Sequence, residues 1–370
     1  MKVLHFLDTI NRGGAETQVL DICRNAARSG LEMTFVTAQG GAMEKDFSKS
    51  GADFIKLKRR FPVDFGLARN IRRIIEDKKI EIVHGYQAVD GVHLYLAARD
   101  LKNVKKVLSF QGGVSPDWKN RYALQFLIPR MDANIVVSKG LKKWHAEIDN
   151  FETSNFEIIY NGADTARLQP TGKDLREELN LPPDVFLLGM IGNFYRDPRK
   201  DQFTICKSLP KVLEKFPGAH CVFAGKTESG AEEKFNECVR FCKENGIAEK
   251  VHFLGGRGDV PDILAALDVF VFSSLHEGLP VAMSEAMLAK VPLIVSDIEP
   301  LLEASANGEY AEVFPIRNAE ILSEKIIKLL GNEEMRADLS ARAYEFAREN
   351  FSVEAHLKHL KTLYEKLLRN

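Results

Sequence analysis

The chain has 370 residues, a formal net charge of −1, and 45% hydrophobic and 28% charged residues. That length is too great for one ordinary core and suits two domains of similar size. No run approaches the ~20 apolar residues that span a bilayer, and the five cysteines are too few for the disulfide framework of a small secreted scaffold.

The first residues turn polar too quickly for a signal peptide, and residues 3–7 read as a strand. Further short apolar runs, often β-branched, stand at residues 33–37, 80–84, 106–110, 134–138 and 157–160. Between them lie helical patterns. Residues 15–29 place Val19, Ile22, Cys23 and Ala26 on one face before Gly30 stops the helix, and residues 67–78 repeat the pattern with Ile71, Ile74 and Ile75. This β-α alternation predicts a parallel sheet wrapped by helices. The rhythm pauses at Asn161-Gly162-Ala163-Asp164 and the polar run Gln169-Pro170-Thr171-Gly172-Lys173, which read as an interdomain linker. Strand-like runs resume at residues 186–191, 220–224, 251–254, 269–273 and 293–296, and residues 319–330, 334–349 and 353–368 close the chain as helices. Cys238 and Cys242, four apart on a helix, read as small core residues; a zinc site would need two more ligands nearby. The expected organisation is an N-terminal domain over 1–170, a C-terminal domain over 171–350, and a final helix over 351–370 packing back toward the first. Both domains are α/β and Rossmann-like, and they face a cleft in which ligands bind beyond the carboxyl ends of the strands.

The charge is unevenly spread. Residues 1–170 hold 26 Lys+Arg against 20 Asp+Glu, and the remainder holds 25 against 32. The excess of the first half gathers at Lys56, Lys58, Arg59, Arg60, Arg69, Arg72 and Arg73, with Phe61 and Phe65 among them. Such a surface suits an anionic membrane or a lipid-linked substrate as well as it suits plain solvation. No nucleic-acid-binding module is visible, so nucleic acid is not an expected partner. A reduced, cytoplasmic protein is expected, with peripheral contact at the inner face of the cell membrane.

The most informative stretch is His276-Glu277-Gly278-Leu279-Pro280-Val281-Ala282-Met283-Ser284-Glu285. It follows a strand and opens a helix. Pro280 suits the first helical position, Gly278 lets a ligand approach the backbone, and the helix start favours a phosphate. Glu277 and Glu285 then face different parts of one extended ligand, and a carboxylate suits vicinal hydroxyls. The apolar neighbours of Glu285 argue against a fully exposed position.

The spacing of Glu277 and Glu285 resembles the E-x7-E element of the family 4 retaining glycosyltransferases, which have the GT-B fold. Gly13-Gly14-Ala15-Glu16, Ile159-Tyr160-Asn161-Gly162-Ala163-Asp164, Val251-His252-Phe253-Leu254-Gly255 with Asp259-Val260-Pro261, and Pro292-Leu293-Ile294-Val295-Ser296-Asp297 resemble other landmarks of that family in the same order. The resemblance implies a two-domain enzyme that moves a sugar from a nucleotide-diphosphate sugar without a metal or other cofactor. It implies that Glu285 binds the donor ribose and Glu277 the transferred sugar. Gly13, Gly14, Gly278, Leu279, Pro280 and Val260 line the donor, and Lys200 neutralises the diphosphate. UDP is favoured by family frequency. The implied acceptor is a glycan or a lipid-linked glycan of envelope polysaccharide or glycolipid synthesis.

Two positions depart from the family pattern. Asn193 stands where an arginine usually accompanies the lysine, so Arg196, or else Arg199, is expected to supply the second cation. Gln111 stands where a histidine often lies near the sugar; His84, at a neighbouring strand end, is a candidate for that side of the site. Gly13-Gly14 lacks the G-x-G-x-x-G spacing of a nicotinamide enzyme. A non-hydrolysing nucleotide-sugar epimerase and a non-catalytic sugar-nucleotide-binding scaffold remain the alternatives.

Overall fold

The computed structural model describes residues 1–113 and 117–369. The chain divides into two compact units, residues 1–163 with 350–370, and residues 164–349. The crossing therefore falls after Ala163, seven residues before the expected boundary, and the C-terminal helix belongs to the first unit.

The first unit holds β1 (Lys2–Thr9), β2 (Glu32–Gly40), β3 (Asp53–Lys56), β4 (Ile82–Gly85), β5 (Lys105–Phe110), β6 (Ala133–Val136) and β7 (Phe156–Ile158). They form one parallel sheet in the order β3-β2-β1-β4-β5-β6-β7. Its inner strand β1 is apolar on both sides. Val3 and Leu7 belong to one core cluster and Leu4 and Phe6 to another, which is why residues 3–7 read as an apolar run broken only by His5. Edge strand β3 escapes such a reading, because Asp53-Phe54-Ile55-Lys56 is half exposed and flanked by charge.

The helix Val353–Arg369 completes this unit. Leu357, Leu360, Tyr364 and Leu367 pack into the cluster that holds Val3, Leu7, Val19 and Ile22. The chain enters this helix beside residue 163: Ala163 N donates to Phe351 O at 2.8 Å, and Val353 N donates to Ala163 O at 2.9 Å. Gly162 is required there, because a Cβ would lie 2.2 Å from the Ser352 carbonyl oxygen.

The second unit holds β8 (Leu187–Ile191), β9 (His220–Ala224), β10 (Val251–Gly255), β11 (Val269–Phe272), β12 (Leu293–Ser296) and β13 (Glu312–Phe314). They too are all parallel, in the order β10-β9-β8-β11-β12-β13. Short edge strand β13 is again the one that hydropathy alone misses. Cys206, Cys221, Cys238 and Cys242 are buried in this unit. Because every strand is parallel, the loops that follow β8, β9 and β11 gather on one edge of the sheet, where ligands of such folds bind. Among the described residues no helix is long and apolar enough to cross a membrane.

Candidate active site

The site on the second unit begins with two loops tied by backbone. Asp201 N donates to Ser273 O at 3.1 Å and Leu275 N to Arg199 O at 2.7 Å, which brings Lys200 alongside Ser274 at the end of β11. Lys200 Nζ then donates to Glu277 Oε1 at 2.6 Å, and Ser274 Oγ donates to the same oxygen at 2.6 Å. The two charged side chains are only 9% and 11% exposed. Lys200 Nζ also sits 4.0 Å from the centre of the Phe272 ring, a favourable place for a cation. Burial pulls the Lys200 ammonium below its ordinary range, and the Glu277 carboxylate opposes that pull. Ser274 is fixed in turn by Ser296, whose Oγ accepts from Ser274 N at 2.7 Å.

The loop continues through buried Gly278, Leu279 and Pro280 into the helix Val281–Leu288. Pro280 is the cap, in extended conformation at φ −72° and ψ 121°, one residue earlier than its expected place inside the helix. Seven of the eight helical residues are buried, Glu285 among them. A carboxylate in such surroundings needs a partner, and Arg167 Nη2 donates to Glu285 Oε1 at 2.7 Å.

Asn193 follows β8 and acts as a staple. Its Oδ1 accepts from Lys226 N at 3.0 Å and its Nδ2 donates to Glu228 Oε1 at 3.4 Å. Phe194 N donates to Lys226 O and Glu228 N to Phe194 O, so this loop is zipped to the loop after β9. Neither arginine expected to replace the family cation is buried. Arg196 is exposed, and Arg199, also exposed, is held in a two-bond pair by Asp197 at 2.8 Å on each side. Val260 begins the helix Val260–Ala266 after β10 and is half-buried. Arg257 ahead of it pairs with Asp259 and Glu178.

The remaining candidates lie in the first unit. Gly13 caps the helix Gly14–Asn25 in extended conformation. Gln111 is half-buried just after β5. His84 requires a correction. It is a core residue, 1% exposed, rather than a group facing outward from a strand end. Its Nδ1 lies 2.6 Å from Tyr364 OH and its Nε2 2.7 Å from Ser109 Oγ. Tyr364 OH is also 3.1 Å from His5 Nε2, and Tyr86 OH is 2.6 Å from His5 Nδ1. Burial holds both imidazoles neutral, His5 being pulled down to about 3. This network fastens the C-terminal helix to the sheet.

The basic run of the first unit is partly spent internally. Lys56 pairs with Glu44, Arg59 with Asp8, and Arg72 with Glu76. Phe61 and Phe65 remain 64% and 70% exposed, as do Trp118 and Tyr122 at 70% and 69%.

Sequence reasoning missed Ser274 and Arg167. The Ser273-Ser274 pair at the end of an apolar strand was a signal for the first. Arg167 carried none, standing 118 residues from its partner.

Comparison with known proteins shows the family. Residues 12–167 match the family described as Glycosyltransferase Family 4, and residues 172–346 match Glycosyl transferases group 1. The lipopolysaccharide core biosynthesis mannosyltransferase LpsB of Rhizobium meliloti is 24% identical over 249 residues, 66% of this chain and 68% of that protein. The N,N'-diacetylbacillosaminyl-diphospho-undecaprenol alpha-1,3-N-acetylgalactosaminyltransferase of Campylobacter jejuni is 37% identical over 123 residues, 32% of each. Among solved structures, Anabaena Alr3699/HepE in complex with UDP and glucose superposes with a TM-score of 0.85 at 18% identity, covering 99% of this chain and 100% of that one.

Proposed function

The chain belongs to the family 4 glycosyltransferases, and we propose that it transfers a hexose from a UDP-sugar with retention of configuration, Lys200 meeting the charge of the departing diphosphate. It is a GT-B glycosyltransferase that acts on a nucleotide sugar in polysaccharide or glycolipid synthesis. The observation that carries the finer reading is the buried cluster of Lys200, Ser274 and Glu277 directly before the helix that bears Glu285.

In this reading Glu285 accepts the ribose hydroxyls, and the backbone at Gly278 and Leu279 meets the diphosphate at a helix start. Glu277 orients the transferred sugar. The bond from the anomeric carbon to the diphosphate oxygen breaks while the acceptor oxygen attacks from the same face. A departing diphosphate oxygen takes the acceptor proton. The protein's contribution is position and fixed charge, and the preformed Lys200 contact network supports that role. The complex of HepE with UDP supports the base, and the undecaprenol-linked substrate named for the Campylobacter relative supports a lipid-linked acceptor. Peripheral contact with an anionic membrane through residues 56–61 and 69–73 is part of the proposal, supported by the exposed Phe61 and Phe65.

The test is thermal stabilisation by uridine, guanosine and adenosine diphosphates and their sugars with EDTA present, followed by donor turnover. A ligand that binds only the folded protein raises its melting temperature. A uridine-specific shift that Glu285→Ala abolishes, with turnover in EDTA, is the expected result. Turnover that stops in EDTA overturns the metal-independent reading, and binding without turnover favours the scaffold.

A further inference from the structure

Arg167 lies in the short segment that opens the second unit, and its guanidinium is already engaged with the carboxylate of the helix Val281–Leu288. The contact is 2.7 Å, with 18% of the arginine side chain and 7% of the glutamate side chain exposed. The segment that carries Arg167 is anchored on both sides. Ahead of it, Asp164 Oδ1 accepts from Ala166 N at 2.9 Å and Asp164 O accepts from Arg167 N at 3.0 Å. Behind it, Leu168 is buried, and the Asp262 carboxylate accepts from Thr171 N at 2.6 Å, Thr171 Oγ1 at 2.8 Å and Gly172 N at 3.2 Å. A guanidinium delivered from a fixed backbone gives a charge-assisted bond of defined direction. Lys200 and Glu277 are held by a separate set of contacts around Ser274.

We infer that Arg167 is a positioning residue, which sets the Glu285 carboxylate in the orientation that accepts the donor's ribose hydroxyls. The inference rests on the assignment of Glu285 to the ribose. Arg167 itself touches no reacting atom, so its loss falls on donor binding and on KM rather than on kcat. Lysine in its place keeps the charge but loses the planar fork that fixes direction.

The experiment compares wild type, Arg167→Ala and Arg167→Lys in their affinity for the nucleoside diphosphate that wild type binds and for its 2′-deoxy analogue. Each variant's melting temperature is recorded alongside. Wild type is expected to prefer the ribonucleotide by about tenfold, the worth of a hydrogen bond to a charged group. Arg167→Ala is expected to bind the ribonucleotide about tenfold more weakly and to lose the preference, and Arg167→Lys to recover part of it. A folded Arg167→Ala protein that keeps the full preference overturns the inference while leaving Glu285 at the ribose. A wild type without preference overturns the ribose assignment and the inference with it. If the alanine variant does not fold, Arg167→Gln and Arg167→Lys carry the same comparison.

Discussion

Replacing Lys200 with methionine removes the cation that sits over the Phe272 ring and leaves the buried Glu277 carboxylate with the Ser274 hydroxyl. Breaking a buried ion pair at one partner costs about 3–5 kcal/mol. The lower end applies here, because Glu277 keeps the Ser274 hydroxyl and both side chains retain about a tenth of their exposure. For a unit spanning residues 164–349, about 3 kcal/mol corresponds to a melting shift of roughly 6–12 °C. Lys200→Met with Glu277→Gln removes both charges and should lie within about 1 kcal/mol of wild type. Glu277→Gln alone should cost less than Lys200→Met, because burial already draws Lys200 toward neutrality. All three variants should lose donor turnover by about a hundredfold or more, the scale of one preorganised charge. The assay is a double-mutant cycle by urea unfolding, read beside donor turnover. Single losses that simply add, with a coupling energy below about 0.5 kcal/mol, would refute the claim that these side chains act as one unit.

The first unit should weaken steeply in mild acid. His5, His84 and His356 are buried with folded pKa values pulled down, to about 3 for His5 and about 4 for His356, so only the unfolded chain takes up their protons as pH falls below 6.5, and stability falls with it. Asp90 works the other way, because burial pushes it up to about 8 and the folded form already holds its proton. Over these four groups the balance is a loss of roughly 2 kcal/mol between pH 6 and 5. Asp90→Asn should steepen that loss by about 1.4 kcal/mol. Urea melts at the two pH values check both, and a flat profile would sink the account. Gly162→Ala places a methyl 2.2 Å from the Ser352 carbonyl, so it should destabilise the unit by about 3 kcal/mol and expose residues 350–353 to limited proteolysis. Wild-type resistance in the variant would count against that packing.

The sheets were legible because their inner strands are buried on both faces, which leaves largely apolar runs such as Val3–Leu7 inside β1, broken only by His5, and Val269–Phe272 in β11. Edge strands β3 and β13 were not, since an edge is half solvated and takes charge. The same division holds in the site. Glu277, Gly278 and Glu285 could be read because one turn and one helix fix their spacing. Tyr364, which takes His84 away from the surface, lies 280 residues along the chain. Arg167, which takes Glu285, lies 118 residues back. Local spacing says which groups face a common edge. Only the path of the chain says which distant side chain meets them there.

Asn193 shows how far such a meeting can alter a residue's meaning. The loops after β8 and β9 approach so closely that a Cβ on Gly225 would sit 2.2 Å from the Gly192 carbonyl oxygen. Between loops that tight, the side chain at position 193 accepts from the Lys226 amide and donates to Glu228. An amide does both, whereas a guanidinium has donors only. An arginine here would leave the Lys226 N–H without the acceptor it now has and would bring a larger group into the same space. Asn193 is therefore a loop-closing residue in this chain. The buried cation beside that loop is Lys200, which Ser274, Glu277 and Phe272 hold in place.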